Sequence, residues 1–307
     1  MREGSGDLVS VIIPCYNQAR FLAQAIDSVL GQTHADYEII VVDDGSPDNV
    51  PDITASYPLV RYVRQGNQGL GAARNTGIRE SKGSCLVFLY ADDRLLPHAL
   101  ETGLKYLKAH PDCAFVAGRC NWVTLDGSIL PSPAQPTVES DHYRQLLIDN
   151  CRIYTMTAMF RRWVFDVVGG YDTSLAAAED WDLNLRIGRR FPICLHSDVV
   201  GEYLRHEGGI SRNAEVMLKS ILKVLRSQRR YIRGHRQYKE AYQEGIREMQ
   251  KYLGERIAGE VRALRRAGEW RRAGRGMLVL LRLDPRGFAR RVGRKLYRAA
   301  FRVGRRG

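Results

Sequence analysis

The chain has 307 residues, of which 44% are hydrophobic and 26% are charged, so it can bury a full core and global disorder is excluded. The formal net charge of +13 is unevenly spread, because residues 261–307 contain 16 Lys and Arg residues against two acids, Glu269 and Asp284. The remaining residues are close to neutral, which excludes a uniformly basic protein and indicates that the carboxyl end meets an anionic partner.

No segment of the sequence indicates secretion or a membrane span. The first ten residues lack the apolar stretch of a secretory signal, and the longest strongly apolar run, residues 277–281, is far shorter than the ~20 residues that cross a bilayer. The six cysteines are scattered and form no C-x-x-C pair. We therefore expect a cytosolic chain with reduced thiols in its core.

Strand-length apolar runs alternate with helix-period segments over the first ninety residues. In chain order they are LVSVIIP, QARFLAQAIDSVLGQ, YEIIVV, LVRYV, GLGAARNTGIRES and SCLVFL. The strands are almost continuously apolar, as expected when helices cover both faces of a parallel sheet. This alternation predicts an α/β nucleotide-binding domain whose ligands lie at the carboxyl ends of the strands.

The rest of the sequence predicts further helices and strands, followed by a basic helical segment. A helix follows Pro97, a hairpin turn lies at Asp126, and a helix begins at Glu179. Strands are predicted at TMTAMF, ICLHS and GEYL. From residue 214 the pattern is helical and increasingly basic, so we expect a catalytic domain over residues 1–213 and a basic helical extension over residues 214–307.

The first two predicted strands end in polar residues. The first ends in IPCYN, which brings Pro14, Tyr16 and Asn17 to the place where a nucleobase or ribose lies in such sheets, although this pattern alone is also typical of a turn. The second runs into D-D-G-S, where Asp44 could accept a hydrogen bond from a base. The alternative is that these residues cap a helix and that Gly45 adopts a positive φ.

A glycine-rich segment, NQGLGAARNTGI, surrounds Arg74 and Asn75 at a predicted helix start. Backbone N–H groups and a guanidinium suit a diphosphate. The alternative is close helix packing at Gly71 and Gly77, with Arg74 on a solvated face.

The apolar strand CLVFLYADD delivers two carboxylates, Asp92 and Asp93, to the same sheet edge as Asp44. Adjacent carboxylates repel unless a cation offsets them, and carboxylate plus substrate phosphate is the usual environment of protein-bound Mg²⁺. The sequence therefore predicts a divalent metal between Asp92 and a nucleotide diphosphate. An N-cap of the following helix is the alternative for Asp93.

Two later segments add candidates. AAAEDWDLNLRIGRR begins a helix with Glu179 and Asp180, which alone is typical of charge–dipole complementarity. GEYLRHEGGIS offers His206 after a strand, from where it could reach the metal or the diphosphate; alone it is a polar loop residue.

Taken in order, VSVIIPCYNQ, SVLGQT, EIIVVDDGS, NQGLGAARNTGI, FLYADD, GGYD, EDWDL and YLRHEGGIS resemble glycosyltransferase family 2, with the GT-A fold, over residues 8–213. The resemblance implies transfer of a sugar from a nucleotide-diphosphate donor, a UDP-sugar above others, with inversion at the anomeric carbon. It implies a saccharide acceptor that is lipid-linked or part of a cell-surface polysaccharide. It also implies that Asp180 is the general base and that Mn²⁺ or Mg²⁺ is the cofactor.

The resemblance and the residue patterns together give the expected site. The donor set is Pro14, Tyr16, Asn17, Asp44, Arg74, Asn75, Ala91 and Asp92. The metal set is Asp92, Asp93 and His206.

The chain departs from the family at one position. The family pattern is typically D-A-D-D, and here Tyr90 replaces the first acid. This predicts a weaker metal site or a donor held differently, and a non-catalytic nucleotide-sugar-binding module is the alternative function. A nucleotidyltransferase is a third hypothesis, but the Gly-rich, Lys-containing loop expected near its amino terminus is absent.

Residues 288–303 have apolar positions at helical spacing surrounded by Arg and Lys, which predicts a basic amphipathic helix. Each basic residue near an anionic leaflet contributes ~1 kcal/mol, so residues 261–307 are expected to hold the chain at the inner face of a membrane. The alternative is that this helix packs on the catalytic domain. No nucleic acid is expected, because the catalytic part has no nucleic-acid-binding motif.

Overall fold

The computed structural model describes residues 7–132, 140–150, 153–206 and 213–291. The chain divides into two compact units, Met1–Gly208 and Gly209–Gly307. The division after residue 213 that the sequence suggests stays a prediction.

The first unit is built on one mixed sheet. In the described ranges its strands are β1 Val9–Cys15, β2 Tyr37–Asp43, β3 Val60–Arg64, β4 Cys85–Phe88, β5 Arg94–Leu95, β6 Phe115–Val123, β7 Ile129–Leu130, β8 Ala158–Arg161 and β9 Cys194–Leu204. Their order is β3-β2-β1-β4-β8-β6-β9-β5, with β7 paired to β6. The strands β1 to β4 are parallel, whereas β8 is antiparallel to both β4 and β6. The expected parallel half is thus joined to a mixed half, in which β8 is antiparallel to its neighbours and β9 is parallel to β6.

Helices flank this sheet. They are α1 Ala19–Leu30, α2 Val50–Ala55, α3 Leu70–Glu80, α4 Ala99–Ala109, α5 His142–Ile148, α6 Trp163–Val168 and α7 Glu179–Gly188. In α1 the side chains of Leu22, Ile26 and Val29 are fully buried, as their spacing predicts. Burial of such a side chain contributes roughly 1.5–3 kcal/mol, so this face holds α1 on the sheet.

Two predicted elements differ from the structure. The segments ICLHS and GEYL belong to one long strand, β9, and TMTAMF begins as a 3₁₀ turn, Thr155–Thr157, before β8. The strand β9 runs parallel to β6, and register shifts between Ala117 and Cys120 absorb the irregular residues in its middle. Sequence periodicity does not reveal such a bulge, because the pairing partner determines it.

The second unit is helical. Its described helices are α8 Ala214–Ser227, α9 Arg236–Arg266 and α10 Trp270–Leu283, and residues 285–291 are also helical. The long helix α9 packs against both α8 and α10. A Cβ at Gly276 would lie 2.5 Å from Val261 Cγ2, so α10 approaches α9 closely at this point. The amphipathic helix predicted at residues 288–303 lies largely outside the described residues.

None of the described helices is both long and apolar enough to cross a membrane. Five cysteines, at positions 15, 85, 113, 120 and 194, are free thiols. Burial raises the pKa of the Cys15 thiol to about 12, so it is an inert core residue.

Candidate functional site

The carboxyl ends of β1 and β2 are tied together by hydrogen bonds. The Asp43 side chain is fully buried and accepts hydrogen bonds from Ser46 N at 2.7 Å and from the Tyr62 hydroxyl at 2.6 Å. Ser46 Oγ accepts a hydrogen bond from the backbone N–H of Asn17, which has a left-handed φ of 54°. The loop after β1 is therefore preformed, and it leaves the ring of Tyr16 48% exposed at the sheet edge.

Asp44 anchors the loop that leads into α3. Its carboxylate accepts hydrogen bonds from Gln65 Nε2 at 2.7 Å, Gln68 N at 2.9 Å and Gly69 N at 2.8 Å, and the residue is only 3% exposed. Gly45 has a φ of +71°, as the alternative interpretation of D-D-G-S expected. The base- and ribose-binding roles of Asp44 and of Pro14, which is buried in β1, stay predictions.

Arg74 is buried in the protein interior. Its Nη1 lies 2.5 Å from Glu179 Oε1, and its guanidinium lies between two aromatic rings, 4.8 Å from the centroid of Tyr90 and 4.9 Å from that of Tyr171. The residue is 0% exposed, so the interpretation of Arg74 on a solvated face is wrong. Among the described residues, Nε and Nη2 have no hydrogen-bond partner. The guanidinium therefore links the end of β4 to the start of α7.

Asn75 and Gly77 also have packing roles. The Asn75 side chain donates to the carbonyl of Tyr171 and accepts from its N–H, at 2.9 and 2.8 Å. A Cβ at Gly77 would lie 2.2 Å from Ile12 Cγ2, so α3 is in direct contact with β1. Close packing at Gly77 is confirmed, and both polar atoms of the Asn75 amide are engaged with the Tyr171 backbone.

The loop after β4 holds the two adjacent carboxylates in different environments. Asp92 is partly exposed, and its Oδ2 lies 2.7 Å from His206 Nε2; the His206 ring packs at 5.0 Å from the ring of Phe21. Asp93 is buried and accepts the N–H of Leu204 at 3.0 Å. Burial and the negative charge of Asp92 hold the pKa of Asp93 well above its usual range. Asp93 does not cap α4, because the N-cap position is occupied by His98.

The donor set at this edge suits a divalent ion bound partly by substrate. Within the described ranges, no group of three or more His, Cys, Asp and Glu side chains is placed to hold a metal. Asp92 and His206 together offer one partly exposed carboxylate and one buried imidazole. Mg²⁺ and similar ions are commonly held by one or two carboxylates with phosphate oxygens and water completing the shell, so this pair fits. Asp93 is buried with its carboxylate hydrogen-bonded to Leu204, and Ala91 is a buried residue in the same loop.

Asp180 lies in the first turn of α7 and is only partly exposed. The residue at its N-cap, Ala178, has a left-handed φ of 59°, which is costly for a residue with a Cβ and is typical of functional sites. Burial, reinforced by the charge of Glu179 and opposed by that of Arg74, raises the pKa of Asp180 to about 6. A carboxylate with this pKa is suited to accept a proton near neutral pH.

Tyr171 has a packing role that its sequence motif does not reveal. It is 4% exposed and contributes both the second ring over Arg74 and the backbone contacts of Asn75. The signal was present in the G-G-Y-D motif, but only the fold shows that this ring meets the arginine of another motif. Tyr90, noted only as a departure from the family, supplies the first ring.

Comparisons with known proteins agree with this architecture. The model of the family "Glycosyl transferase family 2" matches residues 10–168. The chain is 26% identical to a chondroitin synthase of Escherichia coli over 259 residues, which are 83% of this chain and 37% of that protein. It spans between 17% and 62% of the length of the first four curated relatives it matches.

Solved structures show the fold. Staphylococcus aureus TarS, residues 1–349 in complex with UDP-GlcNAc, superposes with a TM-score of 0.63 at 18% identity and covers 90% of this chain and 83% of that chain. The mannosyltransferase PcManGT of Pyrobaculum calidifontis, in complex with GDP-Man and Mn²⁺, has a TM-score of 0.61 at 20% identity and covers 84% and 75%. The fold of the first unit is GT-A, and the chain belongs to glycosyl transferase family 2.

Proposed function

We propose that this chain transfers a sugar from a nucleoside-diphosphate donor to a hydroxyl of a saccharide acceptor, with inversion at the anomeric carbon. The observation that carries the proposal is that Arg74 is ion-paired with Glu179, the neighbour of Asp180, and lies against the ring of Tyr90, two residues before Asp92. Asp92 in turn lies 2.7 Å from His206. Glycosyltransferase activity follows from membership of the family; the donor, the acceptor and the stereochemistry are the proposal.

The donor would lie across the carboxyl ends of β1, β2 and β4. The exposed ring of Tyr16 offers a stacking surface for the base, and Asn17 lies next to it on the rigid loop. The amino end of α3, which Asp44 positions through Gly69, provides backbone N–H groups for a phosphate. Arg74 and Asn75 take part in this proposal as residues that position the loops. A UDP-sugar is the first donor to test, because the TarS complex contains UDP-GlcNAc.

Asp92 and His206 would hold a Mn²⁺ or Mg²⁺ ion against the diphosphate. When bound, such an ion stabilises the negative charge that the leaving diphosphate acquires. The manganese in the PcManGT complex supports this choice of ion. We leave Asp93 out of the ligand set, because its carboxylate secures Leu204 in the interior.

Asp180 would act as the general base. The acceptor oxygen attacks C1 of the sugar as its proton moves to the Asp180 carboxylate, and the bond from C1 to the diphosphate oxygen breaks with its electron pair going to the diphosphate. Attack from the face opposite the leaving group inverts the anomeric centre. The ion pair of Glu179 with Arg74 fixes the helix end that presents Asp180.

The decisive experiment separates donor binding from turnover. Binding of nucleotide sugars is measured by calorimetry with and without Mn²⁺, and donor hydrolysis and transfer are measured on the same preparations. Asp180→Asn should bind the donor normally and lose turnover by at least about a thousandfold, whereas Asp92→Asn should lose the dependence of donor binding on the metal. Asp52→Asn, an exposed position on α2, is the matched control and should change neither.

The alternative of a non-catalytic binding module gives a different result. A module would bind donor tightly, show no turnover with any acceptor or with water, and be unaffected by Asp180→Asn. The raised pKa of Asp180 favours the enzyme, because a binding module has no use for a proton acceptor at this position.

We also propose that the acceptor is a lipid-linked saccharide or a growing surface polysaccharide and that the chain works at the inner face of a membrane. The basic residues 261–307 and the chondroitin synthase similarity support this proposal. Transfer to an acceptor in anionic vesicles, compared with the same acceptor in neutral detergent, tests it.

A further inference from the structure

The helix α10 exposes an apolar stripe. Trp270, Met277, Leu278 and Leu281 are 63%, 41%, 57% and 48% exposed, and their spacing places them along one side of the helix. The adjoining face, with Ala273 and Leu280, is buried against α9. Large apolar side chains grouped in this way on a surface mark a contact with a membrane or another molecule.

Arginines border this stripe. Arg271, Arg275 and Arg282 are exposed and follow the apolar residues around the helix at intervals of four and seven residues. No acidic residue lies within α10, whose sequence is WRRAGRGMLVLLRL. A helix with an apolar stripe beside a basic one has the pattern of helices that lie in the plane of a bilayer surface.

A groove at one end of the stripe offers a second, independent feature. It has a volume of about 290 Å³ and is lined by Trp270 and by Arg262, Arg265 and Arg266 of the last turns of α9. The guanidinium of Arg265 lies 5.5 Å from the centroid of the Trp270 ring. In the described part of the chain, none of these three arginines is ion-paired with an acidic side chain. The groove therefore concentrates uncompensated positive charge beside an aromatic ring.

We propose that α10 is an interfacial membrane helix and that the arginine groove binds the phosphate of an anionic phospholipid. Trp270 and the leucines would enter the boundary between head groups and acyl chains, where tryptophan is favoured, while the arginines contact phosphates. This proposal deepens the membrane part of the proposed function and assigns it to α10 and the end of α9. The sequence pattern assigned the membrane contact to residues 261–307 as a whole and predicted the amphipathic helix at residues 288–303.

Charge decides between a lipid surface and a second copy of this chain as the occupant of the stripe. A second copy would bring the same uncompensated arginines to the interface and repel. Residues 292–307 contain six basic residues and no Asp or Glu, so their side chains cannot neutralise the groove. An anionic lipid surface complements both the stripe and the groove.

The test is vesicle co-sedimentation of the full chain with phosphatidylglycerol vesicles and with phosphatidylcholine vesicles. Arg262→Gln/Arg265→Gln/Arg266→Gln should weaken binding to anionic vesicles roughly a hundredfold, from about fivefold per basic residue. The control Arg226→Gln/Arg229→Gln/Arg233→Gln removes the same charge from exposed positions around the end of α8 and should weaken it less than tenfold. Equal losses of vesicle binding in the two triple variants overturn the proposal that the groove binds a lipid phosphate.

Apolar insertion is tested separately. Leu278→Ser/Leu281→Ser should lose binding about tenfold or more, and the vesicle-induced blue shift of tryptophan emission should disappear in Trp270→Phe. An unchanged blue shift in Trp270→Phe overturns the proposal. A smaller solution mass for Leu278→Ser/Leu281→Ser than for the parent chain also overturns it, because it shows that the stripe mediates self-association. Donor hydrolysis without vesicles reports on the transferase site alone, so its loss contradicts the proposed function and leaves the membrane proposal intact.

Discussion

Replacing the proposed catalytic base by its amide should make the protein more stable. Asp180 binds its proton more tightly in the folded protein, where its pKa is about 6, than in the unfolded chain, where the usual value is 3.8. As the pH rises from about 4 to about 6 the unfolded chain releases its proton first, so the free energy of unfolding falls by ~1.4 kcal/mol per pH unit. The ionised carboxylate thus costs about 3 kcal/mol above pH 6. Asn has no charge to desolvate, and its oxygen can still accept the N–H of Trp181.

We therefore expect Asp180→Asn to raise the free energy of unfolding by about 1–3 kcal/mol at pH 7.5, a net figure that already includes the attraction to Arg74. The difference from the parent chain should shrink to near zero at pH 4. Urea unfolding, followed by circular dichroism at several pH values, measures it. A variant that is equally stable or less stable at pH 7.5, or a difference that does not depend on pH, refutes the reasoning.

Asp182→Asn is the matched control on the same helix. The Asp182 carboxylate lies 2.8 Å from Arg186 Nε, and the same guanidinium donates to the carbonyls of Val168 and Gly170. Removing this carboxylate takes a partner from a mostly buried cation, so the substitution should destabilise the protein by about 1–3 kcal/mol. If Asp180→Asn raises the free energy of unfolding while Asp182→Asn lowers it, then Asp180 is the carboxylate whose ionised form is disfavoured by folding.

Three further predictions address the surroundings of the site. Arg74→Met should lower the free energy of unfolding by about 3–5 kcal/mol in urea, because it leaves Glu179 buried without its cation, and adding Glu179→Gln should restore a large part of this loss. Gly77→Ala should cost about 2 kcal/mol or more, measured as a lower thermal midpoint, because the new methyl group would overlap Ile12 and push α3 from β1. His206→Gln should raise the Mn²⁺ concentration for half-maximal donor hydrolysis roughly tenfold to a hundredfold, and an unchanged metal titration would exclude this histidine from the ion.

The parallel half of the sheet was predictable because each of its strands ends in a motif with its own local signal. The apolar runs end at Asp43 and at Tyr90, and the strands β1 to β4 of the structure coincide with the apolar runs of the sequence. The mixed half of the sheet was harder to predict, since β9 depends on its pairing with β6 rather than on its own periodicity. Local patterns determine where strands end, whereas their order and bulges depend on distant partners.

For the candidate site, the sequence patterns indicated residues, but their contacts appear only in the structure. Asp92 and His206, which are far apart in the chain, contact each other, and the pKa of Asp180 is raised to about 6, while their roles in binding and catalysis stay predictions. Arg74, however, was expected to meet a diphosphate or solvent, and it is enclosed by Tyr90 and Tyr171. No spacing rule could reveal this, because the three residues belong to three separate motifs that only tertiary folding unites.

The contact between the Tyr90 ring and Arg74 couples the proposed metal affinity to the pKa of Asp180. Restoring an acid at position 90 would place a third carboxylate beside Glu179 and Asp180 around a single guanidinium. Such a charge would compete for Arg74 and push the pKa of Asp180 further upward, so an attempt to strengthen metal binding would also move the pH optimum to more alkaline values. A change of the proposed cation affinity through position 90 therefore requires changes at the partners of Arg74 as well.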